Sequence, residues 1–483
     1  MKILFISSEM APLLSTGGLA DVANALPKAL KALGHDVRVV MPLHGRIPAE
    51  HRGEEHCLCV VDMGTTTQYG AMRESRVPGT DIPLYLIEHN GYFDRPDPYS
   101  LDGAEYDDNV ERFSFFCLAT LHGVEQTHWK PDVIHCHDWH TALLPAFIKT
   151  NFEGHPYWGG MPTVYTIHNL AYQGRYGGEL FIQTGLPIET FVANSFEFHG
   201  DLNLMQGALQ YADRLNTVSP RYAREIQTVD YGEGLDGSLQ ARSHHLSGIL
   251  NGVDYETWNP ATDPHIPEPF SQDDLTGKAE CKTALQATFG LPVKDVPVFA
   301  IVSRLTDQKG IDLIVHAIDQ LVALDIQLVV LGTGDKVLED HLLEASARHP
   351  QHVSVAIRFD VGLSHQIYAG ADFFLMPSRF EPCGLSQLYS LAYGTIPVVR
   401  RTGGLADSVK HYNAVNRKKG TATGIVFAGQ TPGAVIRSVR QACDLYKNEA
   451  TLDAVRKQAM ASDFSWDRSC AAYVELYKAA GAA

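Results

Sequence analysis

Phe373-Phe374-Leu375-Met376-Pro377-Ser378-Arg379-Phe380-Glu381-Pro382-Cys383-Gly384-Leu385 reads as a strand handing over to a helix. Its first four residues are an apolar run bounded by Pro, as a short buried strand is. Residues 388–392 resume as a helix, and Pro382 stands just before it, near the first helical turn that prolines favour. Open α/β sheets bind ligands beyond the carboxyl ends of their strands. A helix start at that place offers unpaired backbone N–H groups and a positive dipole end to an anion. Here a carboxylate, Glu381, lies beside the anion site. A carboxylate suits hydroxyl groups and a helix start suits phosphate, so a ligand carrying both, such as a sugar nucleotide, fits. The plainer alternative is a polar strand-to-helix loop with no ligand.

The same alternation continues on both sides. Residues 298–302 read as a strand, followed by the polar loop Ser303-Arg304-Leu305-Thr306-Asp307-Gln308-Lys309-Gly310 and a helix. Arg304 and Lys309 put two cations at that strand's carboxyl end, which suits a diphosphate. A solvated basic loop is the bland alternative. Residues 327–331 and 353–357 are further strands, the second followed by Arg358 and Phe359. Residues 396–399 lead into Arg400-Arg401-Thr402-Gly403-Gly404-Leu405-Ala406-Asp407. Strand, loop and helix in succession predict a doubly wound α/β domain.

The amino-terminal half opens the same way. Residues 3–7 form a strand, Ser15-Thr16-Gly17-Gly18-Leu19-Ala20-Asp21-Val22 a turn, residues 19–33 an amphipathic helix, and residues 37–41 the next strand. The glycines do not spell the G-x-G-x-x-G of dinucleotide folds, so a nicotinamide cofactor is not supported. They supply backbone freedom and suit the close approach of a phosphate or sugar to a helix start, with an ordinary strand-to-helix turn as the alternative. Thr-Gly-Gly-Leu-Ala-Asp occurs at both 16–21 and 402–407, a repeat that hints at two similar domains. Residues 44–111 read as an antiparallel or irregular insertion. Residues 106–121 read as a helix whose Phe113, Phe115 and Phe116 face the core.

Two later strands end in polar clusters. Val133-Ile134 runs into His135-Cys136-His137-Asp138-Trp139-His140. Metal hydrolases use His-x-His followed by x-Asp-His, and here the Asp comes one place early, so a metal site is the minor reading. The favoured reading puts Asp138 and Trp139 at the strand's end, the carboxylate for sugar hydroxyls and the indole for a sugar face. Residues 163–167 run into His168-Asn169, another ligand-facing end. Residues 213–219 form a strand, and Pro220 starts a helix. Asn251-Gly252-Val253-Asp254 is a tight-turn signature inside a linker placed at 247–275.

Bulk properties narrow the function class. The chain has 483 residues, enough for two large domains, and a formal net charge of −17. That acidity argues against nucleic acid or an anionic membrane as partner. Eight cysteines are too sparse for a disulfide framework, and residues 1–6 are too short for a signal peptide. No stretch approaches the length of a membrane span. A cytoplasmic setting is expected.

Taken together, Ser-Glu-Met-Ala-Pro (8–12), Thr-Gly-Gly-Leu-Ala-Asp-Val (16–22), His-Asp-Trp-His (137–140), Thr-Ile-His-Asn (166–169), Asn-Gly-Val-Asp (251–254), Ser-Arg-Leu-Thr-Asp-Gln-Lys-Gly (303–310), Pro-Ser-Arg-Phe-Glu-Pro-Cys-Gly-Leu (377–385) and Arg-Thr-Gly-Gly-Leu-Ala-Asp (401–407) resemble the bacterial glycogen and plant starch synthases. The likeness spans nearly the whole chain. It implies an α/β protein of GT-B fold, two Rossmann-like domains facing a central cleft. The domains are expected at 1–247 and 248–462, with a terminal helix over 463–483 crossing back to the first. The resemblance also implies transfer of glucose from ADP-glucose to the 4-hydroxyl end of glycogen or a maltooligosaccharide, with retention of configuration. Neither cofactor nor metal is expected.

Carried onto this sequence, the resemblance implies that Arg304 and Lys309 hold the diphosphate. The Gly17-Gly18 turn and the helix start after Cys383, Gly384 and Leu385 would donate N–H groups to it. Glu381 would bind the donor glucose hydroxyls. Asp138, His168 and Asn251 would frame the sugar, Phe359 would stack on adenine where relatives carry Tyr, and Asp21 would reach the ribose. One departure stands out: the family usually has Lys before Thr-Gly-Gly-Leu, and this chain has Ser15. Three alternatives stay open at this point. They are a related transferase using UDP-glucose or a short acceptor, a glucan-binding protein without transfer, and a metal-dependent hydrolase built on 135–140.

Overall fold

A computed structural model describes residues 1–64, 66–101 and 103–482. The chain divides into two compact units, Met1–Gly252 with Trp466–Ala483, and Val253–Ser465.

In the first unit the strands of the main sheet are β1 (Lys2–Ile6), β2 (Asp36–Pro42), β3 (Glu54–Asp62), β4 (Thr67–Arg76), β5 (Pro83–Glu88), β6 (Val133–His137), β7 (Thr163–Ile167), β8 (Arg214–Thr217) and β9 (Leu246–Gly248). They form one sheet in the order β9-β8-β7-β6-β1-β2-β5-β4-β3. From β9 to β5 every pairing is parallel. Strands of a parallel sheet are covered on both faces, which is why β6 and β7 are buried at every residue. The expected insertion resolves into two parts. β3 and β4 are an antiparallel hairpin at the sheet edge, but β5 lies in the main sheet beside β2, with residues 84–87 fully buried. Helix α1 (Gly18–Ala32) follows β1, and α2 (Asn109–Gln126) buries Phe113, Phe115 and Phe116 in the core.

The second unit has β10 (Val298–Val302), β11 (Gln327–Gly332), β12 (Val353–Ile357), β13 (Phe373–Met376), β14 (Ile396–Arg400) and β15 (Ile425–Phe427). Their order is β12-β11-β10-β13-β14-β15, all parallel. Numbered from β10 this is the doubly wound order 3-2-1-4-5-6, and β5-β2-β1-β6-β7-β8 repeats it in the first unit. Ligands bind such sheets where the strand order reverses, outside the carboxyl ends of strands 1 and 4. Those strands are β1 and β6 in one unit, β10 and β13 in the other.

Two similar domains are therefore present, but the hexapeptide repeat does not register them. Its first copy follows β1, the strand in position 1. The second follows β14, in position 5, and opens a short helix, α3 (Gly403–Ser408). The helix α4 (Trp466–Ala480) completes the first unit's core, where Trp466, Cys470, Tyr473, Leu476 and Tyr477 join a cluster with Val22, Leu26, Val133 and Val164. Among the described residues no helix is long and apolar enough to cross a membrane.

Candidate active site

In the second unit the two switch-point loops are held against each other. Gly310 closes the loop after β10 with φ of 70°, and a Cβ there would lie 2.4 Å from the Pro377 carbonyl oxygen. Only glycine meets both demands. The contact brings Lys309 to the loop after β13. Its Nζ donates to Glu381 Oε2 at 2.6 Å, and the Ser378 hydroxyl donates to the same oxygen at 3.0 Å. Both partners are largely buried, Lys309 17% and Glu381 6% exposed at the side chain. An ammonium has three N–H donors, so among the described residues two remain for a ligand. Arg304, on the same loop, is exposed and donates to Gln308 at 3.2 Å.

A second layer supports Glu381 from behind. The Gly404 N–H donates to the Glu381 and Pro382 carbonyls at 3.2 Å each. Gly403 has φ of 41°, and a Cβ on it would fall 1.8 Å from the Glu381 carbonyl oxygen. Arg400, buried at the end of β14, donates from Nε to the Ser378 carbonyl at 2.6 Å and also donates to that of Arg379. The Gln387 amide reaches the carbonyls of Cys383 at 3.1 Å and Gly384 at 2.7 Å. Leu385 stands immediately before the helix that begins at Ser386. Phe359 follows β12 and is 82% exposed.

The first unit gathers carboxylates. Asp138 follows β6 with φ of 55° and ψ of −177°, a region that costs a non-glycine residue on the order of 1–3 kcal/mol. Its carboxylate accepts the His168 backbone N–H at 2.7 Å. Burial nevertheless pushes the carboxyl up to about 7, against the backbone hydrogen bonds from His168 and Asn169. Glu9, beyond β1, accepts both the N–H and the hydroxyl of Thr16 at 2.7 Å. Burial pushes it to about 7 as well, with Asp138 and Asp21 adding repulsion. Asp21, in the first turn of α1, is raised to about 6 by burial. Among the described residues none of the three is ion-paired to a cation. Ser15, where a family lysine would stand, is exposed, as are Gly17 and Gly18.

Gly17 corrects one expectation. Its φ of −174° is extended backbone open to any residue, so conformational freedom is not why it is glycine. Nothing lies within 4 Å of where its Cβ would be. Trp139 corrects another: it is buried in the core, with its ring 4.9 Å from that of Phe113. Its turn after the strained Asp138 swings it inward. His168 sits beside His137, whose Nδ1 lies 2.9 Å from His168 Nε2. Burial lowers His168 to about 3, so it is neutral. Asn251 is buried, and its Oδ1 has no hydrogen-bond partner among the described residues.

His135 bonds Tyr477 at 2.9 Å and Thr166 at 2.8 Å, which occupies both its ring nitrogens. Among the described residues no group of three or more His, Cys, Asp or Glu is placed to hold a metal ion. The residues that the sequence reading did not single out are Glu9, Arg400 and Gln387, and it weighed His137 only as a metal ligand. The rule applied to other strand ends would have found Glu9, three residues beyond β1.

Two doubly wound units, one with a cation-and-carboxylate loop pair and the other with a glycine turn at their switch points, define a glycosyltransferase of the GT-B class. Residues 2–241 match the starch synthase catalytic domain family, and residues 287–459 match glycosyl transferases group 1. The chain is 44% identical over 482 residues to glycogen synthase 1 of Geobacter metallireducens, covering 99% of this chain and 95% of that protein. It is 45% identical over 488 residues to glycogen synthase 1 of Methylococcus capsulatus, covering 99% and 97%. Among solved structures, the catalytic domain of starch synthase IV from Arabidopsis thaliana, bound to ADP and acarbose, superposes with a TM-score of 0.91 at 32% identity, covering 99% of each chain. The chain belongs to the glycogen synthase and starch synthase family of retaining glucosyltransferases.

Proposed function

We propose that this protein transfers glucose from ADP-glucose to the non-reducing 4-hydroxyl end of an α-1,4-glucan, glycogen or a maltooligosaccharide, in the cytoplasm. The observation that carries the reading is the Lys309–Glu381 pair at the second unit's switch point, with Arg304 on the same loop. Cations there stabilise the charge that grows on a departing diphosphate, and preorganised charge of this kind is commonly the largest catalytic contribution. Glu381, oriented by Lys309 and Ser378, receives the donor glucose hydroxyls. Phe359 stacks on the adenine, and the N–H groups after Cys383, Gly384 and Leu385 meet phosphate oxygens. In the first unit Gly17 and Gly18 admit the phosphates, Asp138, His168 and Asn251 frame the sugar, and Asp21 reaches the ribose. The absence of a disulfide among the described residues supports the reducing compartment.

Retention calls either for a covalent glycosyl intermediate or for same-face attack, with the leaving phosphate taking the acceptor's proton. The carboxyl environments favour the second. Glu381 is tied to an ammonium, and Asp138 and Glu9 are held partly protonated near neutral pH by burial. The test is glucan elongation by purified protein with ADP-, UDP- and GDP-glucose in the presence of chelator. Elongation from ADP-glucose is expected. Binding of glucan without elongation from any donor would leave a non-transferring protein, the reading that Ser15 alone favours.

A further inference from the structure

Behind His168 stands a histidine that the proposed chemistry does not use. His137 ends β6 and is completely buried, with its ring 4.1 Å from that of Phe5 and 4.0 Å from that of His135. Its Nδ1 lies 2.9 Å from His168 Nε2. Its Nε2 is buried and has no hydrogen-bond partner among the described residues. Burial holds both rings far below the ordinary imidazole value, so each is neutral and carries one proton.

Two arrangements satisfy the contact between the rings. In one, His168 donates from Nε2, His137 accepts at Nδ1, and the proton of His137 sits on Nε2. That buried N–H would meet no acceptor. In the other, His137 donates from Nδ1 and its Nε2 is a bare lone pair. His168 then accepts at Nε2 and carries its proton on Nδ1. An orphaned buried N–H is the rarer and costlier defect, while an unpaired lone pair is tolerated more often. We infer that His137 is a positioning residue that fixes His168 as its Nδ1–H tautomer, so that His168 meets the transferred sugar as a hydrogen-bond donor rather than as a base. Among the described residues none hydrogen-bonds His168 Nδ1, the edge left for a hydroxyl oxygen.

The last clause rests on the reading of His168 as sugar-facing, whereas the tautomer is a property of the unliganded protein. Full-length protein labelled with ¹⁵N-histidine gives both by long-range ¹H–¹⁵N correlation at neutral pH, with His168 assigned by its loss in His168→Asn. The expected result is the Nδ1–H pattern for His168 in the wild type. In His137→Phe, which removes the donor, His168 is expected to shift toward the Nε2–H form that free histidine side chains prefer. An Nε2–H pattern in the wild type overturns the inference, whether or not the variant folds. Titration with ADP-glucose separates the two claims. An Nδ1–H tautomer whose signals ignore the sugar nucleotide refutes the sugar-facing reading and leaves the tautomer assignment intact.

Discussion

Asp138→Asn separates what this residue does for activity from what it does to stability. Its carboxyl is raised from the ordinary 3.8 to about 7, chiefly by burial. For an acid whose folded value lies above its unfolded one, the native state holds the extra proton between the two. Stability present in acid is then lost as pH climbs from about 4, and the loss is complete above about 7. At about 1.4 kcal/mol per pH unit between the two values, the ionised form destabilises the first unit by up to about 4 kcal/mol. Asparagine removes the charge, keeps an oxygen for the His168 N–H, and tolerates positive φ as aspartate does. With domains of this order of size shifting about 2–4 °C per kcal/mol, Tm near pH 8.5 should rise by on the order of 10 °C. Near pH 5, where native Asp138 is already protonated, most of the gain should disappear. Glucan elongation should fall at both pH values. Calorimetry of the two proteins across that range checks the argument. A Tm difference that is the same at both pH values would show that burial of the charge is not what destabilises Asp138.

Gly403→Ala should destabilise the second unit and abolish elongation, because its Cβ lands on the Glu381 carbonyl. Gly17→Ala should leave Tm unchanged and raise KM for the donor; a lowered Tm would mean that something in the fold already fills that space. Lys309→Met should lower kcat/KM for ADP-glucose at least tenfold, from the loss of one charge-assisted contact at roughly 1.5–3 kcal/mol. Steady-state kinetics with unchanged turnover would remove Lys309 from the phosphate site. Phe359→Ala, at an 82% exposed position, should leave thermal unfolding untouched and weaken ADP binding measured by calorimetric titration.

Strand ends were legible because buried parallel strands are continuous apolar runs, and a polar residue at the end of one is conspicuous. Lys309, Glu381, Asp138 and His168 all surfaced that way. What failed to surface depended on geometry beyond the strand. Nothing in the letters around Asp138 announces its positive φ, so Trp139 was expected to face a ligand and instead packs on Phe113. The run 84–87 looked like part of an insertion because its partner, β2, is separated from it by the whole β3–β4 hairpin. The two copies of Thr-Gly-Gly-Leu-Ala-Asp look alike, yet a Cβ on Gly403 would run into the Glu381 carbonyl while one on Gly17 would meet nothing within 4 Å. Close approach of main chains, which decides that difference, leaves no mark in a single sequence.

The helix Trp466–Ala480 gives the protein an unusual schedule during synthesis. The first unit's own sheet leaves the ribosome early, but the side chains that close one side of its core come after residues 253–465. At roughly 5–20 residues per second, that delay lasts on the order of ten to forty seconds. Through that interval Val22, Leu26, Val133 and Val164 lack their cover, and His135 lacks its Tyr477 partner. The second unit, contiguous in sequence, is free to fold meanwhile. The domain that is made first is thus the one finished last, and a nascent chain stalled before Trp466 exposes an apolar face that chaperones or proteases would find.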